Sequence, residues 1–274
     1  MDEMKVNTTE ADKAKTIQVK KGITGSTLKI IALIAMLIDH IAAIILDNLL
    51  LSRGLAEIDP SNTNAIVEFM KVNGGLYYLD LAMRMIGRIG FPIFCFLLVE
   101  GFIHTRNVKK YAFNLGIFAL ISEIPFNVAF TKNPWDVTYQ NVFFTLFLGL
   151  MVMIGFKYIS EKFQERKELS MILNFLVLMA GMTLAFFLKT DYAYMGVATI
   201  AVIYWFRKNK MAAGTAGCAA LCLMSVSEIP AVLSLVPIYL YNGKRGWNMK
   251  YLFYIFYPTH ILLLYGIAVI MKIV

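Results

Sequence analysis

The chain has 274 residues, of which 59% are hydrophobic and only 16% are charged. Its mean hydropathy of +0.65 excludes an ordinary soluble domain and indicates a polytopic membrane protein. The net charge is +8. In a membrane protein the distribution of basic residues indicates the orientation of the chain in the membrane, so we expect no nucleic-acid partner.

The first 27 residues form a polar tail that precedes the apolar part of the chain. The tail contains five lysines, but it has neither the apolar core nor the small-residue cleavage site of a signal peptide. We expect residues 1–27 to be a disordered cytoplasmic tail. Residues 28–274 are expected to form a single transmembrane domain.

Apolar runs recur from residue 28 to the C-terminus, at lengths that suit membrane helices of about 20 residues. They predict an all-α fold, a polytopic membrane helical bundle of about nine transmembrane segments. The sixth and eighth segments are short, which is typical of tilted, broken or re-entrant helices. The predicted segments are Leu28–Leu51, Leu79–Ile103, Tyr111–Phe130, Val142–Tyr158, Leu169–Leu188, Tyr194–Phe206, Met211–Val226, Ala231–Tyr241 and Tyr251–Ile270.

Lysine and arginine alternate between the two ends of these segments. The tail and the connections at 104–110, 157–168, 207–210 and 243–250 carry 18 of them, whereas the connections at the other end carry five. By the positive-inside rule, this asymmetry predicts a cytoplasmic N-terminus and, after nine crossings, a C-terminus outside.

Two histidines, an arginine and a glutamate fall deep inside the predicted segments. Counting about 1.5 Å per residue from the segment ends places His40 and His260 near the midplane, and Arg88 and Glu123 in the middle to outer half. A charge at the bilayer centre costs about 2.5–3.5 kcal/mol on insertion scales, so each needs a partner, a cavity or a function. These four residues could share one buried site.

The second predicted segment carries two pairs of ionisable residues at helical spacing. Arg84 and Arg88 share a helix face, so an anionic partner is expected opposite them. Glu100 and His104 lie about 18 Å further along the axis and belong to a cytoplasmic mouth. We expect Pro92 to kink the helix between these two levels.

The sequence Ser-Glu-Ile-Pro occurs twice, at 122–125 and at 227–230. The flanking residues do not match over any length, so we interpret the second copy as a turn rather than as part of a repeat.

Each of these residues also has a structural interpretation. A lone intramembrane histidine can serve as an interhelical hydrogen bond, Glu123 can satisfy backbone groups freed by Pro125, and the basic loops can simply set topology. The ionisable residues cluster in the N-terminal third and the last helix, and this convergence favours one compact buried site. The cysteines lie in apolar runs without metal-ligand spacing, so we expect no metal site.

Five stretches of the sequence together resemble the TraX family, membrane proteins associated with N-terminal acetylation of F-type pilin. The resemblance runs from about residue 28 to residue 268 and is weaker between about 160 and 245. TraX-like proteins are similar in turn to wider transmembrane acyltransferase groups, which deliver acyl groups from cytoplasmic acyl-CoA to an acceptor across the membrane. The stretches are IAMLIDHIAAI, MRMIGRIGFPIFCFLLVEGFIHTRNVKKY, ALISEIPFNV, QNVFFTLFLG and FYIFYPTHILLLYG.

The resemblance implies an integral membrane acetyltransferase of the bacterial inner (plasma) membrane. It would move an acetyl group from cytoplasmic acetyl-CoA, as co-substrate, to an amine or hydroxyl of an extracytoplasmic or membrane-associated acceptor. That acceptor is a pilin or peptide N-terminus, or a glycan. Whether the acetyl group passes directly or through an acetyl-histidine is left open by the sequence.

The implied catalytic residues are His40, Asp39, Glu123 and His260. His40 is the expected general base or acyl carrier, because a buried neutral imidazole is basic near working pH. Asp39 or Glu123 would orient it, and His260 would complete the site or hold the acceptor. The expected acetyl-CoA-binding residues are Arg84, Arg88, Glu100, His104, Arg106, Lys109, Lys110, Lys208 and Lys244.

Two functions from other classes fit the same pattern. Midplane ionisable residues also occur in proton-coupled small-molecule transporters, although two arginines indicate an anionic ligand and no helix repeat is evident. A non-enzymatic membrane assembly factor would use the buried charges only as ties between helices.

Overall fold

The structure is a computed structural model, and it describes residues 22–274. The predicted disordered tail falls largely on residues 1–21, which lie outside this range. Within the described part, Ile23 pairs with Tyr241, and the Thr24 side chain caps the first helix by accepting a hydrogen bond from the Thr27 backbone N–H.

Helices account for most of the described residues, and the β-type pairing found among them is confined to two isolated bridges. The α-helices are α1 Gly25–Ile41, α2 Asp47–Ser52, α3 Thr63–Gly87, α4 Gly90–His104, α5 Val108–Phe130, α6 Val142–Lys162, α7 Lys167–Phe187, α8 Ala193–Trp205, α9 Lys210–Met224, α10 Leu235–Leu240 and α11 Lys250–Ile270. A π-helical turn spans Ala42–Leu46, and 3₁₀ helices span Leu55–Glu57 and Val226–Ser234.

The pattern of apolar helices confirms the predicted all-α membrane bundle. In the described part of the chain, six helical segments are long and apolar enough to cross a membrane, and three shorter apolar helices lie between the fifth and the last of them. The short segments are Ala193–Trp205, Lys210–Met224 and Val226–Leu240. The seventh segment is thus short as well as the sixth and eighth.

The first segment is one continuous helix, Gly25–Ser52, in which the π-helical turn joins α1 to α2. The turn begins two residues after His40. Single π-helical turns inside α-helices are rare and occur frequently at functional sites.

The second predicted segment differs from the structure in two ways. Helix α3 begins at Thr63, well before the predicted start at Leu79, because the polar residues of its first turns hide it from a hydropathy reading. The segment is also broken rather than only kinked: the break falls at Arg88 and Ile89, in the turn before Pro92, where a proline ring clashes with the carbonyl oxygen four residues earlier. Pro92 lies in the first turn of α4, where a missing N–H removes no intrahelical hydrogen bond.

Helices α3 and α4 run antiparallel to the first segment, with α4 beside α1 and α3 beside α1, the π-helical turn and α2. Two glycines allow this close approach. A Cβ on Gly90 would meet the Ala32 carbonyl oxygen at 3.4 Å, and a Cβ on Gly87 would overlap the Asp39 side chain. Gly87 therefore brings the backbone of α3 against an acidic side chain of α1.

We predicted a turn at the second Ser-Glu-Ile-Pro copy. In the structure this copy instead begins the 3₁₀ helix Val226–Ser234. This helix packs against α9, α4 and α3. The first copy lies inside α5, with Pro125 in the helix interior. Helix α11 packs mainly on α5 and also contacts α1 and the π-helical turn. Side chains from the two ends of the sequence therefore meet near the middle of the first segment.

Candidate functional site

The centre of the site is a pair of imidazoles from α1 and α11. His40 Nδ1 lies 2.6 Å from His260 Nε2. The ring centroids are 4.9 Å apart and the planes are nearly parallel, at 11°. His260 is buried, and the rings of Phe130 and Tyr257 contact His40 edge-on. Both histidines thus face the bundle interior.

The hydrogen bonds of His260 determine the tautomers of both rings. His260 Nδ1 lies 2.7 Å from the Phe256 carbonyl oxygen, and a carbonyl can only accept, so Nδ1 carries the hydrogen. In the neutral ring, Nε2 of His260 then has a free lone pair and accepts from Nδ1–H of His40. The second nitrogen of His40, Nε2, is consequently left unprotonated. This arrangement gives His40 a fixed orientation and an unprotonated Nε2.

An ion pair lies one residue before His40. Arg84 Nη1 of α3 donates to Asp39 Oδ2 at 2.7 Å. The other carboxylate oxygen, Asp39 Oδ1, is buried and has no hydrogen-bond partner among the described residues. Asp39 therefore contacts Arg84, and the structure gives His40 a different partner from the Asp39 or Glu123 carboxylate that we expected to orient it.

A second ion pair joins the α3–α4 break to the 3₁₀ helix. Arg88 Nη1 lies 3.2 Å from Glu228 Oε1, and Glu228 is buried. Tyr192 also interacts with Arg88, and its ring stacks on Phe91 with centroids 3.6 Å apart. The neighbouring Asp191 accepts from the Tyr139 hydroxyl at 2.8 Å. The two arginines are thus each held by a carboxylate.

The hydrogen bonds of Glu123 go to Asn141 rather than to the imidazole pair. Its Oε2 accepts from Asn141 Nδ2 at 2.5 Å and from the Asn141 backbone N–H at 3.5 Å. Asn141 Nδ2 also donates to the Ala119 carbonyl oxygen at 2.9 Å. Glu123 therefore fixes the start of α6 against α5, while its second oxygen, Oε1, is buried without a partner among residues 22–274.

The residues predicted at the cytoplasmic mouth lie at the far end of α4. Tyr241 donates to Glu100 Oε2 at 3.2 Å. The His104 ring is largely exposed, and its Nδ1 lies 2.9 Å from the Glu100 carbonyl oxygen. The cationic loop side chains predicted to contact acetyl-CoA are exposed at this end, on connections or in the first turn of α5; they are Arg106, Lys109, Lys110, Lys208 and Lys244.

Four residues of the site were not singled out from the sequence. Glu228 and Tyr192 reach Arg88, while Asp191 and Tyr139 form the next layer. One sequence signal could have identified Glu228: it occupies the same position in the second Ser-Glu-Ile-Pro copy as Glu123 does in the first. Asp191 and the tyrosines lie at or near helix ends and gave no comparable signal.

Comparisons with known proteins place the chain in a family. A family model described as TraX protein matches residues 24–268. The probable fimbrial assembly protein FimC, serogroup H1, of Dichelobacter nodosus is 29% identical over 264 residues, which cover 86% of this chain and 92% of that protein. No solved structure matches the chain significantly. Since the family model covers most of the chain, this membrane protein belongs to the TraX family.

Proposed function

We propose that the protein is a membrane acetyltransferase that transfers an acetyl group from cytoplasmic acetyl-CoA to an amine or hydroxyl of an acceptor at the outer side of the bacterial inner membrane. The observation that carries this proposal is the relay from the Phe256 carbonyl through His260 to His40. An unprotonated His40 Nε2 inside a membrane bundle supports the role of general base that acyl transfer requires.

In the proposed step, His40 Nε2 takes the proton of the acceptor N–H or O–H as the nitrogen or oxygen attacks the thioester carbonyl. The carbon–sulfur bond of acetyl-CoA then breaks, and the departing thiolate takes the proton back from the imidazolium. The products are the acetylated acceptor and free CoA. His260 acts as a positioning residue, because it holds the tautomer and orientation of His40 and need not exchange a proton itself.

Arg84 and Arg88 suit the remaining requirement, a cationic environment for the developing oxyanion or for phosphate. Each guanidinium has five N–H donors, so the Nη1 contacts to Asp39 and Glu228, together with the Tyr192 contact of Arg88, leave other donors for a ligand. The carboxylates also lower the cost of keeping two arginines in the bundle. Glu100 and His104 would line the entrance for acetyl-CoA, with the exposed loop cations contacting its phosphates.

The family and the relative support a proposal for the acceptor class. The Dichelobacter protein is named as a fimbrial assembly protein, and we propose a pilus-related role for this chain, with a pilin or peptide N-terminus as acceptor. A surface glycan is the second acceptor to be tested, because its hydroxyl would react by the same step.

The test uses membranes that contain the full protein, labelled acetyl-CoA and an extract of surface peptides and glycans. Label should enter an acceptor, and His40→Gln should abolish the transfer while protein level and thermal stability remain close to the parent. Glu68→Gln, on an exposed early turn of α3, is the matched control and should leave transfer unchanged. Solute uptake without an acetylated product would favour a transporter. Neither activity, with folding lost on mutation, would favour an assembly factor.

A further inference from the structure

A groove lies where α6 and α8 end and α7 begins, at the end of the molecule that the positive-inside rule predicts to be cytoplasmic. Two adjoining cavities of about 420 and 500 Å³ form it, and they share Ser160, Asn174 and Trp205 as lining residues. The groove lies outside the imidazole and arginine site. No role in the proposed acetyl transfer is assigned to it.

The groove is basic. Lys157, Lys167 and Arg207 line it, whereas Glu161 is its one acidic lining residue in the described part of the chain. Lys157 Nζ lies 3.9 Å from Glu161 Oε1, so this acid offsets a single cation and leaves the other two. A cavity with this excess suits a phosphate group.

Arg207 is held in place before any ligand binds. Its Nη1 donates to the Tyr204 carbonyl oxygen at 2.8 Å, and its guanidinium lies 4.0 Å from the centroid of the Tyr204 ring. Both contacts fix the planar group at the end of α8 and reduce the entropy lost on binding. The remaining guanidinium N–H groups are available to an anion.

The walls of the groove are aromatic and apolar, and several of their side chains are exposed. Trp205 is 49% exposed and stacks on Phe156 with centroids 5.6 Å apart. Met171 and Phe175 extend the wall along α7, and both are exposed. A ligand that neutralises the cations while covering these side chains must carry both an anionic group, for which a phosphate is well suited, and an apolar chain.

We propose that this groove binds the headgroup of an anionic phospholipid, with the acyl chains lying along α7. Basic pockets between membrane helices on the cytoplasmic side bind lipids of this kind. A nucleotide shares the phosphate, and its base could stack on an aromatic ring, but acyl chains cover the exposed row of Met171 and Phe175 along α7 more fully than a polar ribose and base, so the geometry favours the lipid. Bound lipid would bridge the end of α6, the start of α7 and the end of α8.

Trp205 provides a direct reporter of occupancy. Replacing Trp135 and Trp247 with phenylalanine leaves Trp205 as the remaining tryptophan of the three, and both replaced residues are exposed outside the α-helices. This protein is placed in nanodiscs that contain phospholipid with brominated acyl chains, either anionic phosphatidylglycerol or zwitterionic phosphatidylcholine at the same mole fraction. Bromine quenches a tryptophan that it contacts.

The proposal predicts stronger quenching by the anionic lipid, and an about tenfold loss of this preference in the triple variant Lys157→Gln, Lys167→Gln, Arg207→Gln. The matched control removes three lysines elsewhere, Lys71→Gln, Lys132→Gln and Lys189→Gln, and should keep the preference. Equal quenching by both lipids in the parent would overturn the proposal. So would relief of quenching by free CoA or adenosine 3′,5′-bisphosphate, which would assign the groove to a nucleotide. An equal loss of the lipid preference in the control variant would also overturn the proposal, because the preference would then come from the overall charge of the protein.

Discussion

Replacing His260 with phenylalanine tests whether the second imidazole positions the first. Phenylalanine keeps the ring volume inside α11, but it has no nitrogen to accept from His40 Nδ1 at the 2.6 Å contact. His40 would lose its fixed tautomer and would be free to place its hydrogen on either nitrogen. A fraction of the molecules would then carry no basic nitrogen facing the substrate.

The size of the effect follows from the hydrogen bond that is lost. A buried donor left without its acceptor costs about 1–3 kcal/mol, and each 1.36 kcal/mol changes a rate about tenfold. We therefore expect His260→Phe to lower kcat for acetyl transfer by about 10- to 100-fold. The loss should fall on kcat rather than KM, because His260 has no assigned contact with acetyl-CoA.

The assay is single-turnover transfer from labelled acetyl-CoA in membranes, with protein level and detergent thermal stability measured in parallel. Phe130→Leu is the matched control, because Phe130 contacts the same imidazole edge-on, at 5.8 Å between centroids, without a hydrogen bond. His40→Gln in combination with His260→Phe should be no slower than His40→Gln alone, since the two rings act as one unit. A normal rate in stably folded His260→Phe would refute the relay.

The other predictions concern the ion pairs and the helix contact beside them. Asp39→Asn and Arg84→Gln should each lower the free energy of unfolding by about 2–3 kcal/mol, because each leaves the charge of its partner uncompensated. The double variant should lose less than the sum of the two single losses; additive losses in a denaturant double-mutant cycle would contradict the ion pair. Gly87→Ala should lower the free energy of unfolding by about 1–3 kcal/mol, because the new methyl group overlaps the Asp39 side chain. Gly75→Ala is the control: nothing lies within 4 Å of its Cβ, so it should leave stability unchanged or raise it. Thermal unfolding in detergent measures both. Glu228→Gln should slow acetyl transfer about tenfold by removing the carboxylate that holds Arg88; a rate equal to that of Glu68→Gln would leave Glu228 without a part in the site.

The transmembrane helices could be predicted because apolar length and loop charge are properties of local sequence. The start of α3 at Thr63 could not, since Glu68, Lys71 and Asn73 lower its hydropathy below that of a membrane span. Packing against the first segment supplies what the local sequence lacks: Arg53 donates to Asn73 at 2.9 Å. Tertiary contacts thus extend a helix beyond its apolar part.

It was easier to predict which residues belong to the site than to predict which of them contact one another. Depth along a helix correctly indicated that His40 and His260 lie at similar levels, but these residues are 220 positions apart, and no local pattern states which neighbour each will contact. Asp39 and His40 point about 100° apart on an α-helix, which explains why adjacent residues have separate partners. Glu228 was missed because a short 3₁₀ helix lacks the periodicity that identifies longer elements.

The π-helical turn at Ala42–Leu46 sets the angular phase between the two halves of the first segment. A π-helical turn contains one residue more than the α-helical turn it replaces, and one residue corresponds to about 100° of rotation. The turn therefore decides which side of the helix Asp47 and the residues after it present to α3. Removing a single alanine there would restore a regular helix and rotate everything beyond it away from its present neighbours, without altering any residue that contacts a ligand.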